Sequence, residues 1–282
     1  MHVDGLRFPE SPRWHDGSLW FTDLYTQRVL QADPNGNVRT VAELPDVPSG
    51  IGWTPDGRLL IVQATSRQLL RLDGDAPVVV ADLSAHVMYP CNDMVVDGLG
   101  RAYIGNMGFD FGNPEAVPGP GPILLVTPEG SARIAAEGLA FPNGMAITPD
   151  GRTLIVAESY AARLTAFEIA PDGSLSGGRV WASLESAGAP GGEQVTPDGI
   201  SLDAEGALWV ASPGTRDVLR VREGGEITER IPLGAIPVAC MLGGPERRTL
   251  FIATAESLDP GDTGAVGRIE AIEVDVPGVG LP

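Results

Sequence analysis

The sequence has few cysteines, few histidines and no long hydrophobic run. Its two cysteines, Cys91 and Cys240, are too few for a disulfide framework or a cysteine-based zinc site. No apolar segment approaches the ~20 residues that a transmembrane helix requires. The residues that follow Met1 include neither the basic nor the apolar segment of a secretory signal. We therefore expect a cytoplasmic protein that does not bind membranes.

Positive charge is also scarce. The chain has 19 basic and 37 acidic side chains, which gives a formal net charge of −18. A surface this acidic repels the phosphates of nucleic acids and anionic lipids. We therefore expect a small-molecule substrate rather than a nucleic acid or a membrane, and a monomer or weak homodimer.

Glycine and proline are abundant, with 37 and 25 residues. They recur at regular intervals, as expected for the many tight turns of a protein rich in β-sheet. Five stretches share a pattern of one leading residue, a short apolar strand, an acidic-Gly turn and a second apolar strand, and a sixth copy is weaker. The repeats start about 40 to 55 residues apart, the length of a four-stranded propeller blade. Their first residues are Glu10, Ser49, Asn92, Asn143, Asp198 and approximately Ala239.

Strands rather than helices fit these repeats. In the second repeat, residues 59–62, 69–72 and 78–80 are apolar runs separated by polar or Gly/Pro turns. The runs are short, rich in β-branched residues and flanked by Asp-Gly turns, and no segment combines a sustained 3.6-residue period with helix caps. The sequence therefore predicts an all-β fold, a six-bladed β-propeller with four-stranded blades, formed by a single domain over residues 1–282.

A second repeat indicates how the ring closes. Segment 4–10 is similar to segment 137–143, whose first residues should form the outer strand of one blade and the crossover to the next. By analogy, residues 1–7 should supply the outer strand of the last blade, whose other strands end near Val276. Such pairing removes an exposed sheet edge.

The first residues of the six repeats should meet at one end of the central channel, where the innermost strands begin. Four of them carry carboxylate or amide oxygens, and two, Glu10 and Asp198, are anionic. Converging carboxylates repel each other unless a cation compensates them. A divalent ion matches the charge, and these oxygens are hard ligands that suit Ca²⁺ or Mg²⁺. A solvated polar channel is the alternative.

Four spaced motifs, in order, resemble the regucalcin/gluconolactonase (senescence-marker-protein) family over essentially the whole chain. They are Phe-Pro-Glu-Ser-Pro-Arg-Trp at 8–14, Asn-Asp at 92–93 with Val-Asp at 96–97, Phe-Pro-Asn-Gly at 141–144 and Pro-Asp-Gly-Ile at 197–200. The resemblance implies a propeller that holds one divalent ion, Ca²⁺ in first place, with Mg²⁺, Mn²⁺ or Zn²⁺ as alternatives. It also implies lactone hydrolysis, or organophosphate hydrolysis in a related branch.

The resemblance further implies roles for four residues. Glu10, Asn143 and Asp198 would hold the metal, Asn92 would lie beside it as a ligand or a substrate contact, and Asp198 would be the catalytic general base. The ion would polarise a lactone carbonyl while Asp198 takes a proton from the attacking water. No Gly-x-Ser-x-Gly motif offers a serine nucleophile, and the three histidines fall at no shared repeat position.

Two departures from the family pattern concern the substrate and the opening motif. Sugar lactonases of this family carry an arginine two residues before the Asn-Asp pair, where it contacts substrate hydroxyls, and this chain has Pro90 there. This argues against a sugar-acid lactone and leaves the metal chemistry in place. The second departure is Ser11, where the family often has glycine.

The wall of the substrate pocket is predicted to be apolar. A Gly/Pro-rich insertion at 106–121 and a loose connection at 185–196 have the length of binding loops or lids. Packing of the insertion's two phenylalanines onto the blade is an alternative to substrate contact. The expected substrate contacts are Met88, Tyr89, Asn92, Met107 and Phe109, with Phe111 as a further candidate.

Three other functions stay open at this point. The same ligands would serve a Ca²⁺-binding propeller without catalysis. A propeller could also act as a scaffold that binds another protein on one face. Finally, one metal site can support different chemistry, such as phosphotriester hydrolysis, isomerisation or cyclisation.

Overall fold

The computed structural model describes residues 2–74, 76–113, 115–189, 191–259, 262, 264 and 266–280. Pro114 and Pro190, in the two loops expected to border the substrate, lie outside the described residues. The described chain forms 24 strands in six four-stranded antiparallel sheets, together with three short 3₁₀ helices. None of its helices is long and apolar enough to cross a membrane. The prediction of a six-bladed propeller with four-stranded blades is confirmed.

The first strand, β1 (Val3–Leu6), belongs to the last blade, and the next twelve strands form blades 1 to 3 in chain order. The first strands of neighbouring blades contact one another, so they line the channel. Blade 1 contains β2 (Pro9–His15), β3 (Ser18–Asp23), β4 (Arg28–Ala32) and β5 (Val38–Glu43); blade 2 contains β6 (Pro48–Trp53), β7 (Leu59–Gln63), β8 (Gln68–Asp73) and β9 (Ala76–Asp82); blade 3 contains β10 (Cys91–Val96), β11 (Ala102–Asn106), β12 (Gly121–Val126) and β13 (Ala132–Leu139).

Blades 4 to 6 follow the same plan. Blade 4 contains β14 (Pro142–Ile147), β15 (Thr153–Glu158), β16 (Arg163–Ile169) and β17 (Leu175–Ser183); blade 5 contains β18 (Ile200–Leu202), β19 (Leu208–Ser212), β20 (Asp217–Val221) and β21 (Ile227–Pro232); blade 6 contains β22 (Ile236–Gly243), β23 (Thr249–Ala255) and β24 (Gly267–Glu273). The 3₁₀ helices are Leu24–Thr26, Ser159–Ala161 and Glu185–Ala187.

The ring closes as the sequence predicts. Strand β1 pairs antiparallel with β24, with Val3 opposite Ile269 and Leu6 opposite Gly267. Val3 and Leu6 are buried in the same cluster as Ile269. The N-terminal strand is therefore the fourth strand of blade 6, and the outer edge of β24 is paired.

Tight turns join the first two strands of the blades. In the two Thr-Pro-Asp-Gly turns, the glycines Gly57 and Gly151 have φ values of 82° and 69°. Their N–H groups donate to the carbonyls of Thr54 and Thr148 at 2.8 Å. Only glycine adopts this backbone conformation without steric cost, which explains the regular Asp-Gly signal in the sequence.

The hydrophobic core lies between the blades. One cluster, for example, combines Ile155 and Leu164 of blade 4 with Ile200, Leu208 and Leu219 of blade 5. Similar clusters join the other blades, so each sheet buries both faces against its neighbours. This packing fixes the inner strands that carry the repeat starts.

Candidate metal centre and substrate cavity

The repeat starts of blades 1 to 4 lie at a β-bulge of the inner strands, and Asp198 lies just before β18. In blades 1 to 4 the first inner-strand residue pairs with the last residue of the second strand, and the register then shifts. In blade 6 Pro237 pairs with Thr254 as Glu10 pairs with Thr22 in blade 1, and the register then shifts before Ala239, so Pro237 occupies the equivalent position. A bulge turns side chains away from the regular alternation of a strand.

Glycines allow the inner strands to approach one another closely. Gly144 follows Asn143, and a Cβ at Gly144 would lie 2.5 Å from the carbonyl oxygen of Asp198. A Cβ at Gly199 would lie 2.4 Å from the Cβ of Ala239. Any larger residue would push the strands apart. The Asn-Gly and Asp-Gly pairs of the repeats therefore bring the candidate ligands together.

A cavity of about 600 Å³ opens at this end of the channel. Five of the six repeat-start positions line it, and Pro237 of the sixth is not among the lining residues. The wall is mostly apolar, as the sequence predicts. The repeat-start residues in the lining are Glu10, Ser49, Asn92, Asn143 and Asp198.

Burial and nearby negative charge destabilise the ionised form of both carboxylates of this ring. Burial, and then the negative charge of Asp198, raise the pKa of Glu10 well above its usual value. Burial, followed by the charge of Asp93, does the same to the pKa of Asp198. The Ser11 N–H donates to Oε2 of Glu10 at 2.8 Å, which offsets only part of the effect. A cation between the carboxylates would remove this penalty.

A buried ion pair lies next to the carboxylates. Arg13 donates from Nη2 to Oδ1 of Asp93 and to the carbonyl of Met94, both at 2.8 Å. The side chains of Arg13 and Asp93 are 7% and 8% exposed. Arg13 thus neutralises Asp93, and the remaining charge of Glu10 and Asp198 matches that of one divalent ion. The sequence reasoning missed Arg13 and Asp93, although one lies in the first motif and the other follows Asn92.

Ser11 shows how the chain tolerates the loss of the family's glycine. Its φ is 46°, in the left-handed region that favours glycine. The Ser11 hydroxyl donates to Oδ1 of Asp93 at 3.1 Å. This hydrogen bond connects the opening motif to the buried ion pair and offsets part of the backbone strain.

The donor set fits a hard cation through carboxylate and amide oxygens. Nδ2 of Asn143 donates to the hydroxyl of Ser159 at 3.2 Å, and the Asn143 amide also donates to Asp198. Oδ1 is therefore the atom that Asn143 can offer to an ion. In the part of the chain that the structure describes, no group of three or more His, Cys, Asp and Glu side chains is placed to hold a metal. The centre thus needs amide oxygens, from Asn143 and Asn92, beside its carboxylates.

A set of buried polar side chains fixes the segments that lead into the ligand residues. They stand at the ends of the second strands, opposite the first inner-strand residues, and hydrogen-bond to the crossover backbone. The contacts are Phe8 N–H to Asp23 at 2.8 Å, Asn106 Nδ2 to the carbonyls of Tyr89 at 2.6 Å and Pro90 at 3.0 Å, Ala140 N–H to Glu158 at 2.8 Å, and Thr196 N–H to Ser212 at 3.2 Å.

Replacing Glu158 with Gln is expected to lower the free energy of unfolding by about 2 kcal/mol. The buried Glu158 carboxylate accepts hydrogen bonds from the Ala140 N–H, from Arg163 at 2.8 Å and from the hydroxyl of Thr165. Urea unfolding measures the change. Glu168→Gln on the exposed face of the same blade is the control, and an equal effect of the two substitutions would contradict this role.

The stabilisation by Glu158 is expected to depend on pH. Burial opposes its ionisation, but the hydrogen bonds from Arg163, Thr165 and Ala140 outweigh burial and lower its pKa. The contribution is complete above the unfolded-state pKa of about 4.3 and is lost as the pH falls through the lower folded-state pKa. The stability difference between wild type and Glu158→Gln should therefore be constant from pH 7 to 6 and shrink below pH 4.

The predicted substrate contacts divide into two groups. Asn92, Met107 and Phe111 line the cavity. Met88, which is 75% exposed, and Tyr89, which is 36% exposed, are not among its lining residues. Hydrogen bonds to the backbone carbonyls fix this segment. Arg67 donates to the carbonyl of Met88 at 2.6 Å, and Asn106 donates to the carbonyl of Tyr89.

Phe109 packs onto the neighbouring blade, which was the alternative to substrate contact. It is 6% exposed and does not line the cavity. Its ring packs against Phe141 and Tyr160 of blade 4, and against Phe111, with centroid distances of 5.7, 5.6 and 6.1 Å. The insertion after β11 is thereby attached to the neighbouring blade. Sequence reasoning missed Tyr160 as a wall residue, because it lies outside the repeated motifs.

The fold and the channel define a six-bladed β-propeller with a polar, two-carboxylate site at one end. The model of the SMP-30/Gluconolactonase/LRE-like region matches residues 8–256. The chain therefore belongs to this family. The resemblance inferred from the four motifs is confirmed.

Individual relatives are distant but cover nearly the whole chain. A 6-deoxy-6-sulfogluconolactonase from Pseudomonas putida is 26% identical over 283 residues, which span 97% of this chain and 93% of that protein. The structure of a calcium-binding regucalcin from Agrobacterium tumefaciens superposes with a TM-score of 0.78 at 21% identity, covering 98% and 93% of the two chains. A gluconolactonase from Xanthomonas campestris gives 0.74 at 24% identity, covering 95% and 87%. At these identities the structures support the fold.

Proposed function

We propose that the protein is a divalent-metal-dependent hydrolase that opens a lactone, with Asp198 as the general base. The observation that carries this proposal is the convergence of Glu10, Asn92, Asn143 and Asp198 on one cavity, where burial and nearby negative charge oppose the ionisation of both carboxylates. Membership of the family, and relatives that are named as gluconolactonases, support the class of reaction.

Glu10, Asn143, Asp198 and Asn92 would hold one ion, Ca²⁺ in first place and Mg²⁺, Mn²⁺ or Zn²⁺ as alternatives. When bound, the ion would polarise the ester carbonyl and stabilise the charge that develops on its oxygen. The calcium-binding regucalcin among the similar structures supports the choice of Ca²⁺.

Asp198 would take a proton from water as the water oxygen adds to the carbonyl carbon. The ring C–O bond then breaks, the leaving ring oxygen receives that proton, and the product is a hydroxy acid. Hydrogen bonds from the Asn143 amide and the Gly199 N–H orient the Asp198 carboxylate. Ser159 in turn fixes Asn143 and donates to the carbonyl of Pro197 at 2.8 Å.

A Ca²⁺-binding propeller without catalysis is the second candidate. The same oxygen ligands would serve it, and a solved structure with this fold is described as a calcium-binding protein. The two functions differ in turnover, because both require metal binding and only the hydrolase consumes a lactone.

Removal of divalent ions by a chelator is expected to reduce lactone hydrolysis by about 100-fold or more, because the carbonyl loses its electrophilic partner. The assay is a panel of alkyl, aryl and sugar lactones with Ca²⁺, Mg²⁺, Mn²⁺ and Zn²⁺, and with one phosphotriester. Addition of one of these ions to the chelator-treated protein should restore lactone hydrolysis. Turnover that resists the chelator would refute metal dependence, and stoichiometric Ca²⁺ binding with no turnover would favour the non-catalytic propeller.

A further inference from the structure

We propose that the substrate is an uncharged lactone with an apolar ring substituent, and that this substituent lies against an aromatic wall formed by Phe111, Phe141 and Tyr160. The inference deepens the proposed hydrolysis and rests on it for the chemistry. The preference of the wall itself is a binding property, so it can be measured without turnover.

The aromatic wall is preformed. The ring of Phe141 lies 5.5 Å from that of Phe111 and 5.1 Å from that of Tyr160, measured between centroids. Phe109 is buried behind these rings and contacts all three. Phe111 and Tyr160 keep 40% and 48% of their surface exposed although they border a cavity. Burying this surface against an apolar group is favourable, because both partners remove apolar area from water.

The opposite side of the cavity is also apolar. Phe8 and Tyr25 of blade 1 pack at a centroid distance of 5.1 Å and both line the cavity. Blade 1 faces blade 4 across a ring of six blades, so a bound group would have aromatic surface on two sides. The other apolar lining residues are Leu24, Val47, Ala64, Pro90, Met107, Pro213 and Leu258.

The charges in the cavity wall have one sign. Among the described residues that line the cavity, the charged ones are Glu10, Asp110 and Asp198, and there is no Arg or His. Arg216, the arginine on a nearby loop, is exposed and is not among the lining residues. The proposed ion would balance Glu10 and Asp198, so an anionic substituent would still meet the charge of Asp110 with no cationic side chain as its partner.

Two of the polar side chains in the cavity already have hydrogen-bond partners within the protein. Asn143 and Ser159 already bond to each other, and the Ser159 hydroxyl donates to Pro197. Pro90 stands where an arginine would read hydroxyls, and it has no side-chain donor. A polyhydroxylated substituent placed against the aromatic wall would therefore lose hydrogen bonds to water that the phenylalanine rings do not replace.

The experiment compares three γ-butyrolactones that differ only in the ring substituent, phenylethyl, dihydroxyethyl or carboxyethyl, together with the corresponding lactams, which resist hydrolysis. For the wild type with its metal we expect kcat/KM to be about 100-fold higher for phenylethyl than for carboxyethyl. Calorimetry should rank the lactams in the same order.

Four variants locate the preference. Phe111→Ala and Tyr160→Ala should each reduce the phenylethyl preference about tenfold or more, while Val117→Ala, on the same loop but 85% exposed and outside the lining, should not. Thr65→Arg adds a cation at an exposed lining position and should raise binding of the carboxyethyl lactam. Circular dichroism and urea unfolding, which do not depend on the cavity, verify the fold of each variant.

Equal or tighter binding of the dihydroxyethyl or carboxyethyl lactam would overturn the inference. So would loss of the preference in Val117→Ala to the same extent as in Phe111→Ala. Ranked lactam binding without turnover of any lactone would support the assigned ligand class and refute the proposed hydrolysis, so the two failures are distinguishable.

Discussion

Asp198→Asn should reduce kcat for lactone opening by about 10²- to 10⁴-fold, the usual contribution of a general base. An amide has nearly the shape of the carboxylate and can still offer an oxygen to a metal, but it cannot accept the proton of the attacking water. The fold should persist, because Gly199, rather than the Asp198 side chain, permits the close contact between blades 5 and 6.

Ser49→Ala is the matched control for this substitution. Ser49 is the repeat-start residue of blade 2 and lines the same cavity, but it has no carboxylate. Its loss should change kcat by only a few-fold. Calcium binding measured by calorimetry shows whether the Asp198→Asn variant has lost the metal or only the general base. If Asp198→Asn keeps activity within a few-fold of wild type, the base lies elsewhere, and Glu10 is the next candidate.

Arg13→Met should lower the free energy of unfolding by about 3–5 kcal/mol, because it leaves a buried carboxylate without its partner. Asp93 would retain the hydrogen bond from Ser11 and the Met94 N–H but lose its countercharge. Urea unfolding in the presence of a chelator measures the effect without a contribution from bound metal. The double variant Arg13→Met with Asp93→Leu should recover most of the lost stability.

Arg58→Met is the control for Arg13. Arg58 pairs with Asp56 at 2.7 Å, but their side chains are 44% and 58% exposed. Exposed pairs contribute about 0–1 kcal/mol. Similar unfolding curves for the two single variants would show that the Arg13–Asp93 pair is not a source of stability.

The fold was predictable because the propeller repeats one local pattern six times. The spacing of the repeat starts and the Asp-Gly turns were sufficient to assign the blades. The similarity of 4–10 to 137–143 was sufficient to predict that the N-terminal strand closes the ring. The weak sixth repeat could be placed only approximately, near Ala239, and the register puts the equivalent position at Pro237. The bulge in β22 shifts the register there, and a short sequence match does not show a bulge.

The site was predictable only where it belongs to the repeat. Glu10, Asn92, Asn143 and Asp198 converge on the cavity because equivalent positions of the inner strands meet in the channel. The backbone conformation at Met88 depends instead on a hydrogen bond that Arg67 donates to its carbonyl, and no repeated motif specifies this contact. The roles of further residues were missed for the same reason. The contact between Arg13 and Asp93, for example, joins positions 80 residues apart.

The pairing of β1 with β24 also sets an order of events during synthesis. Strand β1 (Val3–Leu6) leaves the ribosome before any blade is complete, while β24 (Gly267–Glu273) is made after almost all of the chain. Until then β1 has no sheet to join, and contacts between such distant segments form slowly. A nascent or N-terminally shortened chain would leave β24 as an edge with unpaired backbone groups, ready to pair with a strand from another molecule. The seam that completes the ring is therefore also the place where misassembly between chains would begin.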